Sequence, residues 1–278
     1  MEIRYLRQEE NIRSRALYEE IFVEDEKAFV DAYYRIKAAD NQILVAEEAG
    51  EIISMLHRNP YSFCLRGEKV EADYIVAVAT RLSWRHQGLM RQLLTQALCD
   101  MEAQKRPFTF LMPADEAIYT PFDFRLMGND DEEHLAEWSV EKLAEEYDLY
   151  VQKDEAYVRR HINWPEWEET PMMIRPVHLP SLVSRIGADR EQELIISVSD
   201  PILPANDGTF RWTFTQEGSS LTPAAEKPQL SVSIGELGSF LCGMTGAEEL
   251  SDGIIPEAVL DKLRAIRVLE GIYINETV

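Results

Sequence analysis

Along the first part of the chain, apolar and polar positions alternate in short runs separated by turn residues, which predicts strands, with one long interval at helical spacing. Glu2 to Leu6 reads as an opening strand, and a helical stretch follows from about Glu9 to Lys37, bent near Phe22-Val-Glu-Asp25. Ile43–Glu48 and Glu51–His57 alternate as two strands, and Ala49-Gly50 between them is a hairpin signal. Leu65-Arg-Gly-Glu-Lys-Val-Glu-Ala-Asp73 reads as a further turn that leads into a buried, β-branched strand over Ile75–Thr80. Beyond it Leu89, Leu93, Leu94, Ala97, Leu98 and Met101 repeat every three to four residues, the spacing of an amphipathic helix, and Phe108–Met112 supplies another strand. Residues 1–130 therefore predict one α/β domain built on a mixed, largely antiparallel sheet flanked by helices.

From Asp130 to Glu169 the sequence turns acidic and helical, with Leu135, Trp138, Leu143, Tyr147 and Tyr150 on inward faces. Trp164-Pro-Glu-Trp-Glu-Glu-Thr-Pro171 reads as a linker, since prolines interrupt a helix and the charges disfavour burial. Residues 131–171 are thus expected to connect the first domain to a second, α+β domain over 172–278. In that domain Leu194–Asp200 and Gly208–Phe214 alternate as strands, Asn206-Asp-Gly208 and Glu217-Gly-Ser mark turns, and Ile234–Leu241 and Pro256–Ile266 carry helical patterns.

Composition narrows the function. The net charge of -22 disfavours nucleic acid and anionic membrane surfaces, because both need a basic face. The same field attracts cations such as amines. Three cysteines, Cys64, Cys99 and Cys242, and five dispersed histidines have no metal-like spacing, so no metal is expected. The chain has no apolar run of about eighteen residues and opens on Met1-Glu-Ile-Arg without an apolar signal segment, so the expected location is the cytoplasm.

The chemistry concentrates where the Ile75–Thr80 strand breaks into Arg85-His-Gln-Gly88 and then into the helix. A helix start offers unpaired backbone N–H groups and the positive end of the helix dipole, and a glycine lets an anion approach the backbone closely. The spacing Arg85-x-x-Gly88 followed by Leu89-Met90-Arg91 resembles the acyl-coenzyme-A-binding signature of the GNAT N-acetyltransferase superfamily, in the branch typified by the enhanced-intracellular-survival (Eis) acetyltransferases. Leu111-Met-Pro-Ala-Asp-Glu-Ala-Ile-Tyr-Thr-Pro-Phe-Asp-Phe124 is similar to that branch's strand, loop, tyrosine and Phe-Gly-Phe segment. Met172–Leu179 and Ile272–Val278 look like the start and finish of its sterol-carrier-protein-like C-terminal domain. The chain departs from the pattern at Leu82, Gln87, Met90 and Asp123, and it has room for only a remnant of the family's middle domain.

The resemblance implies direct acetyl transfer from acetyl-CoA to a primary amine, on a small cationic molecule or a lysine side chain. It implies that Val78, Ala79 and Thr80 pair with the pantetheine arm, that His86, Gln87, Gly88, Leu89, Met90 and Arg91 with Arg85 hold the pyrophosphate, and that Ala114 and Asp115 flank the acyl end. Tyr119 would be the general acid, and the terminal carboxylate of Val278 the base or the group that orients the amine. Members of the family form multimers, and the sequence leaves a homo-oligomer open here. Two other readings stay open: an acyl-CoA-binding regulatory protein with little turnover, and a lipid carrier acting through the C-terminal domain.

Overall fold

The computed structural model describes residues 1–127, 140–161, 171–251, 253–274 and 276. The opening alternation becomes β1 (Glu2–Tyr5), and the helical interval becomes α1 (Arg15–Ile21) and α2 (Lys27–Ile36), with the break at Phe22–Asp25 where the sequence bends. β2 (Gln42–Glu48) pairs antiparallel with β1 on one side and β3 (Glu51–Leu65) on the other. β3 in turn pairs along its length with β4 (Glu68–Thr80).

The segment expected as a turn over Leu65–Asp73 is strand except for Arg66-Gly67, and both of these residues are left-handed at φ 48° and 81°. That is the backbone of the two-residue hairpin turn that matches strand twist. Arg66 is held in it by donating to Asp148 Oδ2 and to the Val268 carbonyl, both at 2.8 Å. Alternation hid the longer strands for a physical reason. β3 buries the polar run His57, Arg58 and Asn59, whereas the start of β4 exposes Glu68 and Lys69.

After β4 the chain enters α3 (Leu89–Ala103), and the six apolar positions read from the sequence are all buried there. β5 (Phe108–Leu111) lies parallel to β4, followed by α4 (Glu116–Tyr119) and β6 (Arg125–Leu126). α5 (Val140–Glu146), β7 (Leu149–Val151) and α6 (Glu155–His161) come next, and β7 pairs with the far end of β3. The acidic stretch at Asp130, with Leu135 and Trp138, and the proposed linker at Trp164 lie outside the described residues.

Two strands cross the boundary expected at residue 172. β8 (Met173–Pro176) sits between β5 and β6, antiparallel to both, and β13 (Ile272–Tyr273) lies parallel to β7. Among the described residues the first sheet thus has nine strands, in the order β1-β2-β3-β4-β5-β8-β6 with β7 and β13 off the far end of β3. Between them α7 (Leu179–Val183) leads into a four-stranded sheet ordered β11-β10-β9-β12, from β9 (Gln192–Ser199), β10 (Gly208–Phe214), β11 (Ser219–Pro223) and β12 (Leu230–Ser233). α8 (Ile234–Leu241) and α9 (Glu257–Arg264) complete that unit, whose interior is filled by Trp212, Phe214, Leu194 and Leu237.

The two units share one apolar core, which runs from Phe63 and Phe108 through Met173 to Leu237 and Trp212. Buried ion pairs lock the frame. Arg175 on β8 donates to the Phe122 carbonyl and to Asp200 Oδ1, each at 2.7 Å, tying the loop after α4 to the second unit. Arg58 on β3 pairs with Asp73 on β4, which is one of the two residues at which, among the described residues, β4 meets β5. Removing one partner of such a pair strands a buried charge. Asp73→Ala is therefore expected to lower unfolding free energy by about 3–5 kcal/mol in urea titration; a loss below about 1 kcal/mol, the range of surface pairs, would contradict this account.

Candidate active site

β4 and β5 are paired only at Asp73↔Thr109 and Tyr74↔Phe110. Beyond Tyr74 the strands separate, and the cause lies on the other edge of β4. Met55 of β3 faces Ala79 while His57 faces Val76, so β4 carries one residue more than β3 across that interval, and Ala77 sits at φ 50°. A bulge of this kind bends the strand and re-aims its side chains. A non-glycine residue at positive φ costs on the order of 1 kcal/mol, which the surrounding sheet must offset.

The separation opens a cleft of about 430 Å³. Tyr74 to Val78 of β4 line one wall, and Met112, Pro113, Ala114 and Tyr119 line the other. Tyr18, Phe22, Asp25, Phe29 and Tyr33, from α1, α2 and the bend between them, close a third side. These last residues carried no signal in the sequence beyond the bend itself.

Of the residues singled out from the sequence, Val78, Ala114 and Tyr119 face the cleft. Ala79 turns its side chain into the core with α1 and α2, leaving only its backbone for a ligand on the strand edge. Thr80 bonds Ser54 through its hydroxyl at 2.8 Å, and its carbonyl accepts from Arg85 Nε at 3.1 Å. Asp115 caps α4, its Oδ1 accepting from the Ala117 N–H at 2.9 Å.

The turn into α3 is open. Arg85, His86, Gln87, Gly88 and Arg91 are exposed, His86 and Gly88 have φ 62° and 78°, and a Cβ built on Gly88 would meet nothing within 4 Å. The helix's first internal bond runs from the Gln92 N–H to the Gly88 carbonyl at 3.0 Å. The N–H groups of Leu89, Met90 and Arg91 therefore have no partner within the helix, and no side chain caps them. Leu89 and Met90 pack into the core beneath, fixing the turn, while the Arg91 guanidinium lies over the Phe122 ring at 4.6 Å. Exposed N–H groups beside Arg85, His86 and Arg91 could hold an anion in a chain of strongly acidic composition.

Tyr119 is 7% exposed, packs edge-on against Phe124 at 6.0 Å, and its hydroxyl has no hydrogen-bond partner among the described residues. Burial pushes that phenol up to about 12, so it holds its proton at neutral pH. Tyr74 stands on the facing wall; burial raises its hydroxyl well above the usual value, with the Glu276 carboxylate and Tyr119 adding to the effect. Val278 lies outside the described residues. Glu276, two positions before it, is 2% exposed and accepts from the Tyr157 hydroxyl at 3.2 Å, so residue 276 is buried against α6. Among the described residues no group of three or more His, Cys, Asp or Glu is placed to hold a metal ion, and no helix is long and apolar enough to cross a membrane.

A bulged strand parted from its parallel neighbour and followed by a glycine-opened helix start here belongs to an acetyltransferase fold. Residues 2–127 match the acetyltransferase (GNAT) domain family, and residues 179–264 match the sterol carrier protein domain family. The chain thus carries a GNAT acetyltransferase domain followed by a sterol carrier protein domain, the pairing that the Eis-like resemblance implies.

Solved structures share the fold across both domains. A probable N-acyltransferase from Enterococcus faecalis V583 superposes with a TM-score of 0.73 at 12% identity, covering 98% of this chain and 99% of that one. Eis1 from Mycobacterium abscessus gives 0.71 at 13%, covering 96% and 97%. A GCN5-related N-acetyltransferase from Anabaena variabilis gives 0.68 at 14%, covering 95% and 97%. No curated protein sequence matches the chain.

Proposed function

We propose that this protein is an N-acetyltransferase that moves an acetyl group from acetyl-CoA directly to a primary amine. The observation that supports it most is the conjunction of the parted β4 edge, the buried, protonated Tyr119 hydroxyl on the wall of the cleft, and the open Gly88 turn where the chain passes from that strand to α3. The backbone N–H groups from Gly88 to Arg91, with Arg85, hold the pyrophosphate, and the β4 edge at Val78, Ala79 and Thr80 pairs with the pantetheine arm in place of the missing β5 partner. Ala114 and the backbone at Asp115 flank the acyl end. The thioester supplies an activated acetyl group and a sulfur leaving group.

Tyr119 serves the leaving sulfur, and magnitudes decide how. Passing a proton from a phenol near 12 to a free thiolate near 8.5 is uphill by roughly 5 kcal/mol. The hydroxyl therefore donates a hydrogen bond as charge builds on sulfur, and it yields its proton only as the proton released by the amine becomes available. The Val278 carboxylate orients the amine and receives that proton directly or through water. The amine nitrogen bonds to the acetyl carbon as the carbon–sulfur bond breaks, so no acyl-enzyme is formed.

The acceptor side favours a cation. Asp25 lies among Tyr18, Phe22, Phe29 and Tyr33, accepting the Tyr18 hydroxyl at 2.7 Å, and aromatic faces beside a carboxylate attract an ammonium group and its alkyl stem. A small polyamine or a lysine side chain fits this chemistry.

Thiol release from acetyl-CoA with a panel of primary amines tests the proposal, and turnover dependent on both substrates is the expected result. Tyr119→Phe should lower kcat about 10²-fold while leaving acetyl-CoA binding and the unfolding midpoint nearly unchanged. The rate advantage of the wild type over that variant should hold through pH 10, since a phenol raised to about 12 is still protonated there. Loss of that advantage below pH 9, or full activity in the phenylalanine variant, would remove Tyr119 from the mechanism. Deleting Thr277 and Val278 should cut kcat at least about tenfold without weakening acetyl-CoA binding; unchanged turnover would exclude the tail carboxylate.

A further inference from the structure

Behind the cleft wall lies a buried polar cluster that the proposed reaction does not use. Tyr74 lines the cleft and packs on Tyr61 of β3, with ring centroids 6.2 Å apart. Tyr61 in turn contacts Tyr157 and His161 of α6, at 6.3 and 6.1 Å. Into this pocket come Lys37 from the end of α2 and Glu276 from the segment after β13, at 0% and 2% exposure.

Lys37, Glu276 and the Tyr61 hydroxyl converge on one nitrogen, His161 Nε2. His161 Nδ1 lies 2.8 Å from the Tyr157 carbonyl, an oxygen that can only accept, so Nδ1 carries a proton. In the neutral ring Nε2 is then the acceptor, and the Lys37 ammonium donates to it at 2.8 Å. Glu276 Oε2 sits 3.3 Å from the same Nε2 and makes no hydrogen bond of its own among the described residues, while Oε1 takes the Tyr157 hydroxyl. A carboxylate this buried is tolerated only beside a cation. Lys37 supplies a formal positive charge in the pocket, and Arg160, on α6, adds to the field. Burial pulls the Lys37 ammonium down to about 7, with Glu276 opposing that shift and Arg160 adding to it.

We infer that Glu276 is a positioning residue: its carboxylate, bonded by the Tyr157 hydroxyl and set in the field of the Lys37 ammonium, seats the chain at residue 276 against the acetyltransferase domain and so governs the tail carboxylate that the proposed reaction uses. Three features support a seat rather than a chance contact. The segment leaves β13 already paired to β7, with Ile274 buried behind it. The groups that receive Glu276 come from two helices far apart in sequence, α2 and α6. The site adjoins Tyr74, whose hydroxyl feels both Glu276 and Tyr119. The catalytic consequence rests on the acetyltransferase reading above, but the seating itself does not.

The test compares the full-length protein with Glu276→Gln, which keeps shape and removes charge. Hydrogen–deuterium exchange of the peptide covering residues 272–278 reads the seat; kcat and the KM for acetyl-CoA read its use. We expect exchange at least about tenfold faster, kcat reduced by a similar factor, and KM for acetyl-CoA within about twofold. Loss of kcat at constant KM separates positioning from general destabilisation. Unchanged exchange overturns the seat, whatever turnover does. Faster exchange with unchanged turnover upholds the seat and overturns the role given to the Val278 carboxylate. Should Glu276→Gln fold poorly, Lys37→Met removes the opposite charge from a different element; exchange about threefold faster is expected, and wild-type exchange in that variant likewise overturns the proposal.

Discussion

The site depends on a hydrogen-bonding constraint: β4 cannot keep full partners on both edges. Its extra residue at Ala77 is accommodated against β3, and the strand bends away from β5 after two paired positions. The parted edge leaves backbone groups facing a cleft, and unpaired backbone in a protein interior requires a partner. A ligand with its own amide groups, such as a pantetheine arm, can supply one. The strain at Ala77 is thus matched to a site where a third partner can bind, and the buried Arg58–Asp73 pair sits just before the divergence, where the sheet must stay closed.

The second constraint is electrostatic. A chain with a net charge of -22 must gather positive potential locally to hold a polyphosphate. The start of α3 offers such a place, where backbone N–H groups, Arg85, His86 and Arg91 face solvent together, while Arg81 nearby is neutralised by Glu20 and Glu51. In the cleft the sign reverses at Asp25. On the proposed reading, a helix start suited to an anion and a carboxylate suited to a cation serve acetyl-CoA and an amine in turn.

Much of this was legible in the sequence because local rules carried it. The α3 periodicity, the Ala49-Gly50 hairpin and the Gly88 turn each follow from neighbouring residues, and Tyr119 stood at a fixed distance after that turn. What sequence could not carry is non-local. Met173–Pro176 reads as the first strand of a second domain, yet it completes the first sheet beside β5. Lys37, His161 and Glu276 are separated by more than a hundred residues at each step and meet only in the fold. Long strands that bury Arg58 and Asn59 break the apolar alternation used to find them, and nothing in Ile75–Thr80 announces an alanine at positive φ. Arg175, linking the Phe122 carbonyl to Asp200, is invisible for the same reason, although it braces the loop that follows Tyr119.

The most direct measurement is a crystal structure of the protein with coenzyme A. The account predicts diphosphate oxygens within about 3 Å of the N–H groups of Leu89, Met90 and Arg91, the pantetheine arm laid along Val78–Thr80 between β4 and β5, and the thiol directed at the Tyr119 hydroxyl. Coenzyme A bound elsewhere, or a cleft that stays closed to it with β4 and β5 drawn together, would contradict it.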